Sequence, residues 1–253
     1  MRHADWVFFS LCTGESHSAL DRLIVNVVPT ILERGLHDRW FFLRHADRFG
    51  LHLRLRLRAP SGKAAELRRV VEPMCRQAVA ELGVGGVLVD GCAPELARLA
   101  DPPAAAAAEL LFECSSQVAI DALRGGRDGL FRRLEIAAEL MSVTLAAFGS
   151  SWEAAEFWRH YAARAADVAE PPAPVRAPMP RPSLPLPIAA AILLARWREA
   201  LDSWAHHYRA LDRPPAAEEL AAHCLHLMNN RLGVSMAAEV QLARWLAERA
   251  EAA

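Results

Sequence analysis

The sequence lacks the features by which several classes of protein are identified. It has 253 residues, and its 29 basic side chains are balanced by 30 acidic ones, which gives a formal net charge of −1. Without an excess of positive charge the chain has no general field for holding a polyanion, so we expect no binding of nucleic acid. The longest apolar run, 188–195, is stopped by Arg196 and is far shorter than the roughly 20 residues of a membrane-spanning helix. We therefore expect no membrane segment.

The cysteines do not form the pattern of a zinc site or of a disulfide framework. They are scattered, with no CxxC pair and no repeated spacing: Cys12, Cys75, Cys92, Cys114 and Cys224. An odd number of such thiols, behind an amino terminus that does not resemble a cleaved signal, is typical of a reducing compartment, so we expect a cytoplasmic protein. The phosphate-binding motif GxxxxGKS/T is absent, which argues against nucleotide hydrolysis, and the motif HExxH is absent, which argues against zinc proteolysis.

The first 100 residues change hydrophobic period repeatedly, which indicates mixed α/β structure. Four short segments are of strand type: 6–11, 40–44, 52–58 and 87–89. Two segments between them have the helical period: 20–31 and 67–79. Turn residues at 47–50 make the second and third strands a hairpin. The order strand, helix, hairpin, helix, strand is the ferredoxin-like order, so we predict a small antiparallel sheet with helices.

Beyond residue 100 the pattern is helical. Apolar spacing predicts six helices: Ala105–Leu123, Leu130–Phe148, Trp152–Ala165, Ala189–Tyr208, Ala216–Asn229 and Ala237–Ala250. In 170–187, eight of eighteen positions are proline, which excludes a helix or a central strand and predicts a surface loop. This stretch could instead separate two domains, but both of its flanks carry apolar stripes that need covering. We therefore predict one α+β domain over 1–253, mixed up to residue 100 and mainly helical over 101–253.

The third predicted strand carries the most unusual pattern in the chain. In 52–58, leucines occupy one face, and the other face holds His52, Arg54, Arg56 and Arg58. Burying guanidinium groups against hydrocarbon costs several kcal/mol each, so this face must meet water, carboxylates or a ligand. Two interpretations remain open. The face is either the solvated side of an edge strand, or a wall that receives anions and carbonyl oxygens through the fork of arginine donors.

A second polar group lies near the carboxyl end, in His223-Cys-Leu-His226-Leu-Met-Asn229-Asn230-Arg231. On a helix, positions 223, 226 and 230 share one side, so two imidazoles and an amide can converge. Histidines three residues apart can ligate a metal, but no third ligand has a suitable spacing, and we predict no metal. Two asparagines ahead of Gly233 are also typical of a helix C-terminus, so capping and catalysis remain alternatives.

Only two tyrosines are present in the chain. Tyr208 follows His206-His207 on an apolar helical pattern and can serve as a proton donor if it lines a cavity. Tyr161 is its one competitor for that role.

Taken together, these motifs resemble a known family. Trp40-Phe-Phe-Leu-Arg44, His52-Leu-Arg-Leu-Arg56, Pro94-Glu95-Leu-Ala-Arg98, Ser116 and the segment from His226 to Leu232 follow one another along the chain. Their order and separation resemble those in the C-terminal elimination-type domain of lanthipeptide dehydratases. Standalone relatives of this domain are thiopeptide-type bacteriocin biosynthesis proteins. The resemblance spans nearly the whole chain.

The resemblance implies two activities on a long peptide. In the elimination branch, glutamyl esters of Ser or Thr lose glutamate to give dehydroalanine or dehydrobutyrine. In the thiopeptide branch, a pyridine synthase joins two dehydroalanines by a formal 4+2 aza-cycloaddition and then expels water and the leader peptide, which leaves a pyridine within a macrocycle. Arg56, Arg98 and His226 match the family's catalytic arginine and histidine positions. The cyclisation requires no cofactor.

Departures from the family pattern favour the pyridine synthase. Ser115-Ser116 replaces an Asp-Ser pair, and Leu99-Ala100-Asp101 follows Arg98 where the elimination pattern has an aromatic residue and two glycines. The loss of an acid and two glycines is expected of a remodelled pocket that no longer recognises a glutamyl group. The retained catalytic positions favour the eliminase instead. A noncatalytic peptide-binding scaffold is a third alternative.

The resemblance also implies roles for the remaining polar residues. We expect His226 to be the acid and base, because the ordinary imidazole pKa lies near neutrality, with Tyr208 as a weaker alternative. Arg54 and Arg56 would hold carbonyl groups of the bent substrate, within one crevice that also contains His226. The other expected substrate-binding residues are Arg44, Ser116, Asn230 and Arg231.

The expected partner is a dehydrated, azole-containing precursor peptide. Leaders in this family tend to be acidic, so arginines such as Arg44, Arg132 and Arg133 would attract the leader electrostatically. Solvation of the same arginines without any partner is the alternative.

Overall fold

A computed structural model describes residues 5–48, 50–83, 85–90, 102–124, 129–148, 153–168, 188–209 and 217–252. The chain divides into two compact units, residues 1–120 and residues 121–253. Each unit buries its own set of apolar side chains. The prediction of a single domain stays a prediction, and the proline-rich loop at 170–187 lies outside the described residues.

The first unit contains the predicted four-stranded antiparallel sheet. Its strands are β1 (Trp6–Gly14), β2 (Arg39–Asp47), β3 (Gly50–Arg58) and β4 (Val87–Asp90), in the spatial order β2-β3-β1-β4. The hairpin of β2 and β3 is confirmed, and β1 pairs with both β3 and β4, which is the ferredoxin-like order. Because β3 is an inner strand, the interpretation of its basic side as the solvated face of an edge strand is wrong.

Two helical segments connect the strands. The first begins as α1 (His17–Arg22), passes through a π-helical turn (Leu23–Val27) and continues as α2 (Val28–Leu32). This turn precedes Pro29, which has no N–H to continue the regular helical ladder. The second segment, α3 (Ala64–Glu81), contains the predicted stripe and contacts β1, as α1 does.

Alternation along the strands gives the sheet two different sides. On the apolar side, the buried leucines of β3 lie next to Phe9 and Leu11 of β1. On the basic side, Trp6, Phe8, Ser10 and Cys12 of β1 are paired in register with Arg58, Arg56, Arg54 and His52 of β3. The side chains predicted to share a face therefore do so.

Helix α4 (Pro102–Arg124) contacts the basic side. Glu109 accepts a hydrogen bond from Arg58 Nη1 at 2.5 Å, and Glu113 accepts one from Arg39 Nη1 at 3.4 Å. Burial raises the pKa of both carboxyl groups, and the arginines oppose that rise. These contacts explain why the first unit extends to residue 120, although the sequence predicts the change from mixed to helical structure at residue 100.

The second unit, in its described part, is helical. Its elements are α5 (Gly129–Phe148), α6 (Ala154–Val168), α7 (Ile188–Arg209), α8 (Ala217–Leu232) and α9 (Met236–Glu251). With α4, they confirm the six predicted helices to within three residues at either end. Helix α6 packs on α9, and α5 packs on both α7 and α8. No helix within the described ranges has the length and apolar character needed to cross a membrane.

Candidate active site

The second unit holds a chain of three polar side chains that ends in His226. The imidazole projects from α8 and its side chain is 41% exposed. Its Nδ1 atom lies 3.4 Å from Oε2 of Glu239 in α9. The other carboxyl oxygen, Oε1, accepts a hydrogen bond from the hydroxyl of Tyr161 in α6. Three helices therefore hold one histidine in place through one carboxyl group.

Glu239 occupies this position because of how α9 begins. Ser235 caps the helix, accepting a hydrogen bond from the Ala238 amide at 3.3 Å, and Glu239 lies in the first turn. The carboxyl group is only 1% exposed, and burial raises its pKa to about 8. At neutral pH the group is therefore mostly protonated.

Burial acts on His226 in the opposite sense. Loss of solvent around the imidazole lowers its pKa, so the ring is neutral at neutral pH. With Glu239 protonated, Tyr161 donates to Oε1 and the proton on Oε2 can be donated to Nδ1 of His226. The ring proton then resides on Nε2. This arrangement provides a neutral imidazole whose far N–H can donate a hydrogen bond to an oxygen of a bound substrate and polarise it.

The first unit contains the predicted arginines of β3. Arg56 is 3% exposed, and its guanidinium lies 4.8 Å from the centre of the Phe8 ring, within range of a cation–π contact. Arg54 is half-buried on the same side, while Arg58 is held by Glu109.

Arg44 lies on the opposite side of the sheet. It is paired in register with Leu53, on the apolar side, and its side chain is 8% exposed. Its Nη2 atom donates to Oδ1 of Asp21 in α1 at 2.7 Å. This part-buried ion pair fastens the first helix to the sheet, so Arg44 has a structural contact on the side opposite Arg54 and Arg56, and its role in binding substrate stays a prediction.

Ser116 is also engaged within the fold. Its hydroxyl donates to the carbonyl of Phe112 at 2.8 Å and accepts a hydrogen bond from the Phe42 amide at 3.1 Å. Since β2 is the outer strand, this contact links α4 to the edge of the sheet. The neighbouring Ser115 is buried and donates to the same carbonyl at 3.1 Å.

Helix α8 is closed at Gly233 by bonds to the backbone carbonyls of the two asparagines, and a substrate-binding role for the Asn230 side chain stays a prediction. Val234 N–H donates to the Asn229 carbonyl and Gly233 N–H to the Asn230 carbonyl, both at 3.0 Å, and Gly233 has a φ of 75°. These are the paired bonds of a Schellman motif, in which glycine supplies the left-handed residue. Arg231 is 1% exposed and its Nη1 atom donates to the Leu227 carbonyl. Asn230 is half-buried beside it.

The structure does not describe the side chains of two predicted site residues. Arg98 lies outside the described residues, and Tyr208 is described only as a position within α7. Arg56 and His226 belong to different units, so their convergence in one crevice stays a prediction. Within the described ranges, no group of three or more His, Cys, Asp or Glu side chains is arranged to hold a metal ion.

Sequence reasoning missed Glu239. Its position in the first turn of a helix is where acids commonly occur, because they interact favourably with the helix dipole, so the pattern gave no reason to single it out. The sequence offers Tyr161 as the alternative to Tyr208 as a proton donor, and in the structure its hydroxyl donates a hydrogen bond to Glu239.

Comparison with known proteins agrees with this fold. The family model for the lantibiotic biosynthesis dehydratase C-terminal region matches residues 6–250. No curated protein matches the chain. Among solved structures, the tRNA-dependent lantibiotic dehydratase MibB from Microbispora sp. 107891 is similar with a TM-score of 0.70 and 20% identity, over 98% of this chain and 28% of that one. The chain thus spans little more than a quarter of that dehydratase.

Two shorter proteins have the same fold. The pyridine synthase TbtD from thiomuracin biosynthesis is similar with a TM-score of 0.64 and 19% identity, over 98% of both chains. TsrL is similar with a TM-score of 0.51 and 17% identity, over 97% of this chain and 94% of that one. These structural similarities show a shared fold. The family model matches the sequence itself, from the first strand to the last helix. The chain belongs to the lantibiotic biosynthesis dehydratase C-terminal family.

Proposed function

We propose that the protein is a pyridine synthase of thiopeptide maturation. It joins two dehydroalanines of a leader-bearing precursor by a formal 4+2 aza-cycloaddition, and loss of water and of the leader amide then gives the pyridine and closes the macrocycle. The observation that carries the proposal is the Tyr161–Glu239–His226 chain, because it fixes an uncharged N–H donor that can stabilise charge developing on a leaving group.

The reaction requires protons to move at defined points. One backbone amide must adopt its iminol form to act as the aza-diene, and the hydroxyl group and the leader amide must each gain a proton as they depart. The proton that each leaving group gains is the one that the substrate gives up as the ring aromatises, and the Nε2–H of His226 would donate a hydrogen bond that stabilises the charge developing on the departing atom. Arg54 and Arg56 would bind carbonyl oxygens and hold the two alkenes together, which lowers the entropic part of the barrier.

Ser115 and Ser116 favour cyclisation over glutamate elimination. The elimination branch carries an acid before the serine, whereas both hydroxyls here are buried and donate to the Phe112 carbonyl of their own helix. No carboxyl group is contributed at this position. The glutamate-eliminating lyase remains the second candidate because Arg56 and His226 match its catalytic positions.

The partner is proposed to be a dehydrated, azole-containing precursor with an acidic leader. Because Arg44 is engaged by Asp21, the arginines at the start of α5, Arg132 and Arg133, are the better candidates for electrostatic attraction of the leader. Affinity for the leader is expected to fall as salt rises. An affinity that stays constant between low and high ionic strength would remove this part of the proposal.

Mass spectrometry with two precursors tests the proposed function. A precursor with two dehydroalanines should lose water and release an intact leader amide, whereas a glutamylated precursor should be returned unchanged. His226→Ala should lower cyclisation by about 10² to 10⁴. The matched control is His160→Ala, a histidine of the same unit with a 56% exposed side chain. Glutamate release by the wild type would instead support the eliminase, and failure to act on either precursor would support a scaffold.

A further inference from the structure

A second group of reactive side chains lies in the first unit, away from the Tyr161–Glu239–His226 chain. Cys12 of β1 is paired in register with His52 of β3, and its Sγ atom lies 3.0 Å from Nδ1 of that imidazole. The other ring nitrogen, Nε2, lies 2.8 Å from Oδ1 of Asp47 at the end of β2. A thiol, an imidazole and a carboxylate therefore follow one another across three adjacent strands.

The carboxylate determines which ring nitrogen can act as a base. Asp47 accepts a hydrogen bond from Nε2–H, which leaves Nδ1 of the neutral ring as the acceptor that faces the thiol. The His52 side chain is only 3% exposed, so its orientation is fixed by the strands and by Asp47. The nucleophile Cys12 is thus within hydrogen-bond reach of the base His52, and His52 is within reach of the orienting group Asp47, as in enzymes that use an activated thiol.

The backbone around Cys12 is closely packed. Its amide donates to the Gly86 carbonyl at 2.8 Å. A side chain at Gly85 would place its Cβ 2.6 Å from the Cβ of Cys12, so this neighbour must be glycine for the strand to remain in place. The thiol itself is partly exposed, whereas Cys75 and Cys224 are buried.

The thiol is protonated at rest. Burial raises the pKa of Cys12, and the Asp47 charge adds to that rise, so a standing thiolate is disfavoured. Any reaction at sulfur must therefore transfer the thiol proton to His52 as the new bond forms. This requirement favours reactions in which the imidazole can return the same proton to the product.

We propose that Cys12, His52 and Asp47 form a nucleophilic site for electron-poor alkenes conjugated to a carbonyl group. The S–H proton passes to Nδ1 of His52 while sulfur bonds to the β-carbon and the alkene π bond breaks. The imidazolium then returns the proton to the α-carbon of the enolate. The net result is addition of S–H across C=C, with no oxidant and no leaving group. Asp47 acts as a positioning residue. The extension to dehydroalanyl peptides as the natural electrophile rests on the proposed function.

The reaction can be followed in the full-length protein with N-acetyl-dehydroalanine methyl ester as the probe. Intact-mass and peptide-mapping mass spectrometry give the rate of addition at each cysteine. Cys114, which is partly exposed like Cys12, is the internal reference. We expect Cys12 to react at least about tenfold faster than Cys114, and this ratio to fall at least about fivefold in His52→Gln and in Asp47→Asn. A rise in labelling at Cys75 and Cys224 identifies a variant that has unfolded.

Asp47→Asn keeps the proposal testable if His52→Gln does not fold, because the Asp47 side chain is 36% exposed and should tolerate replacement. Iodoacetamide serves as a second probe that needs no proton returned to carbon. A Cys12 rate no higher than that of Cys114, or a ratio unchanged in the folded variants, would overturn the proposal. Rapid alkylation by iodoacetamide without addition to the alkene would overturn the assignment of the ligand class. Neither result affects the cyclase assay, whose readout is ring formation and leader release.

Discussion

Replacement of Glu239 by glutamine tests whether this carboxyl group works in its protonated form. Glutamine is always neutral, accepts a hydrogen bond through its oxygen and donates through its nitrogen. It can therefore accept from Tyr161 and donate to Nδ1 of His226, as the protonated carboxyl group does. We expect Glu239→Gln to retain activity within about tenfold at neutral pH, whereas Glu239→Ala, which holds neither neighbour, should lose about 10² or more.

The opposite result would identify an ionised carboxylate. In enzymes whose orienting carboxylate is charged, the amide replacement costs about 10⁴ in turnover because it fixes the wrong imidazole tautomer. Rates of product formation for Glu239→Gln, Glu239→Ala and the exposed control Glu248→Gln of the same helix distinguish the two cases. A loss in Glu239→Gln as severe as that in Glu239→Ala would refute the assignment of the protonated form.

The same substitution has a thermodynamic consequence. The pKa of Glu239 is raised from 4.5 to about 8 by burial, so between these values the folded state binds more protons than the unfolded state. Protonation of Glu239 in the folded state therefore stabilises the protein fully below pH 4.5, and this stabilisation is lost as pH rises through about 8. Since each pKa unit corresponds to about 1.4 kcal/mol, the loss is on the order of 5 kcal/mol. Urea unfolding followed by tryptophan fluorescence should show this decline in the wild type and not in Glu239→Gln. Parallel pH dependences would contradict it.

Three further predictions concern other parts of the chain. Arg56→Gln and His226→Ala should each reduce cyclisation, and a double-mutant cycle should show strong non-additivity if both groups act on one substrate; additive losses would contradict a shared crevice. Arg44→Met should lower the free energy of unfolding by about 1.5 to 3 kcal/mol in urea titrations, because it breaks the pair with Asp21, while leader affinity stays unchanged; weaker leader binding would restore the substrate role. Ser116→Ala should lower the free energy of unfolding in urea titrations by about 1 to 3 kcal/mol, because the Phe42 amide loses its hydrogen bond to this hydroxyl. The control Ser142→Ala, at an exposed serine whose hydroxyl bonds within its own helix, should lower it only slightly. Equal losses in the two variants would contradict a stabilising role for the contact between Ser116 and Phe42.

The elements of this fold are predictable from the sequence because they depend on local spacing. Alternation of leucine with arginine over 52–58 predicts a strand with two different faces, and turn residues at 47–50 predict its hairpin with the preceding strand. The six later helices are predicted by a period of 3.6. Each of these signals lies within a stretch shorter than about 25 residues and requires no knowledge of what packs against it.

Burial and pairing, in contrast, are decided by tertiary structure. The alternation in β3 is the same for an edge strand and an inner strand, and only the tertiary structure makes β3 an inner strand and leaves Arg56 3% exposed. Arg44 belongs to the apolar side because of the register of its hairpin, and Asp21 reaches it from a helix 23 residues earlier in the chain. Glu239 looks like an ordinary first-turn acid until α6 and α8 bring Tyr161 and His226 to its two oxygens. Side-chain chemistry at such positions depends on desolvation by distant segments, and no local pattern carries that information.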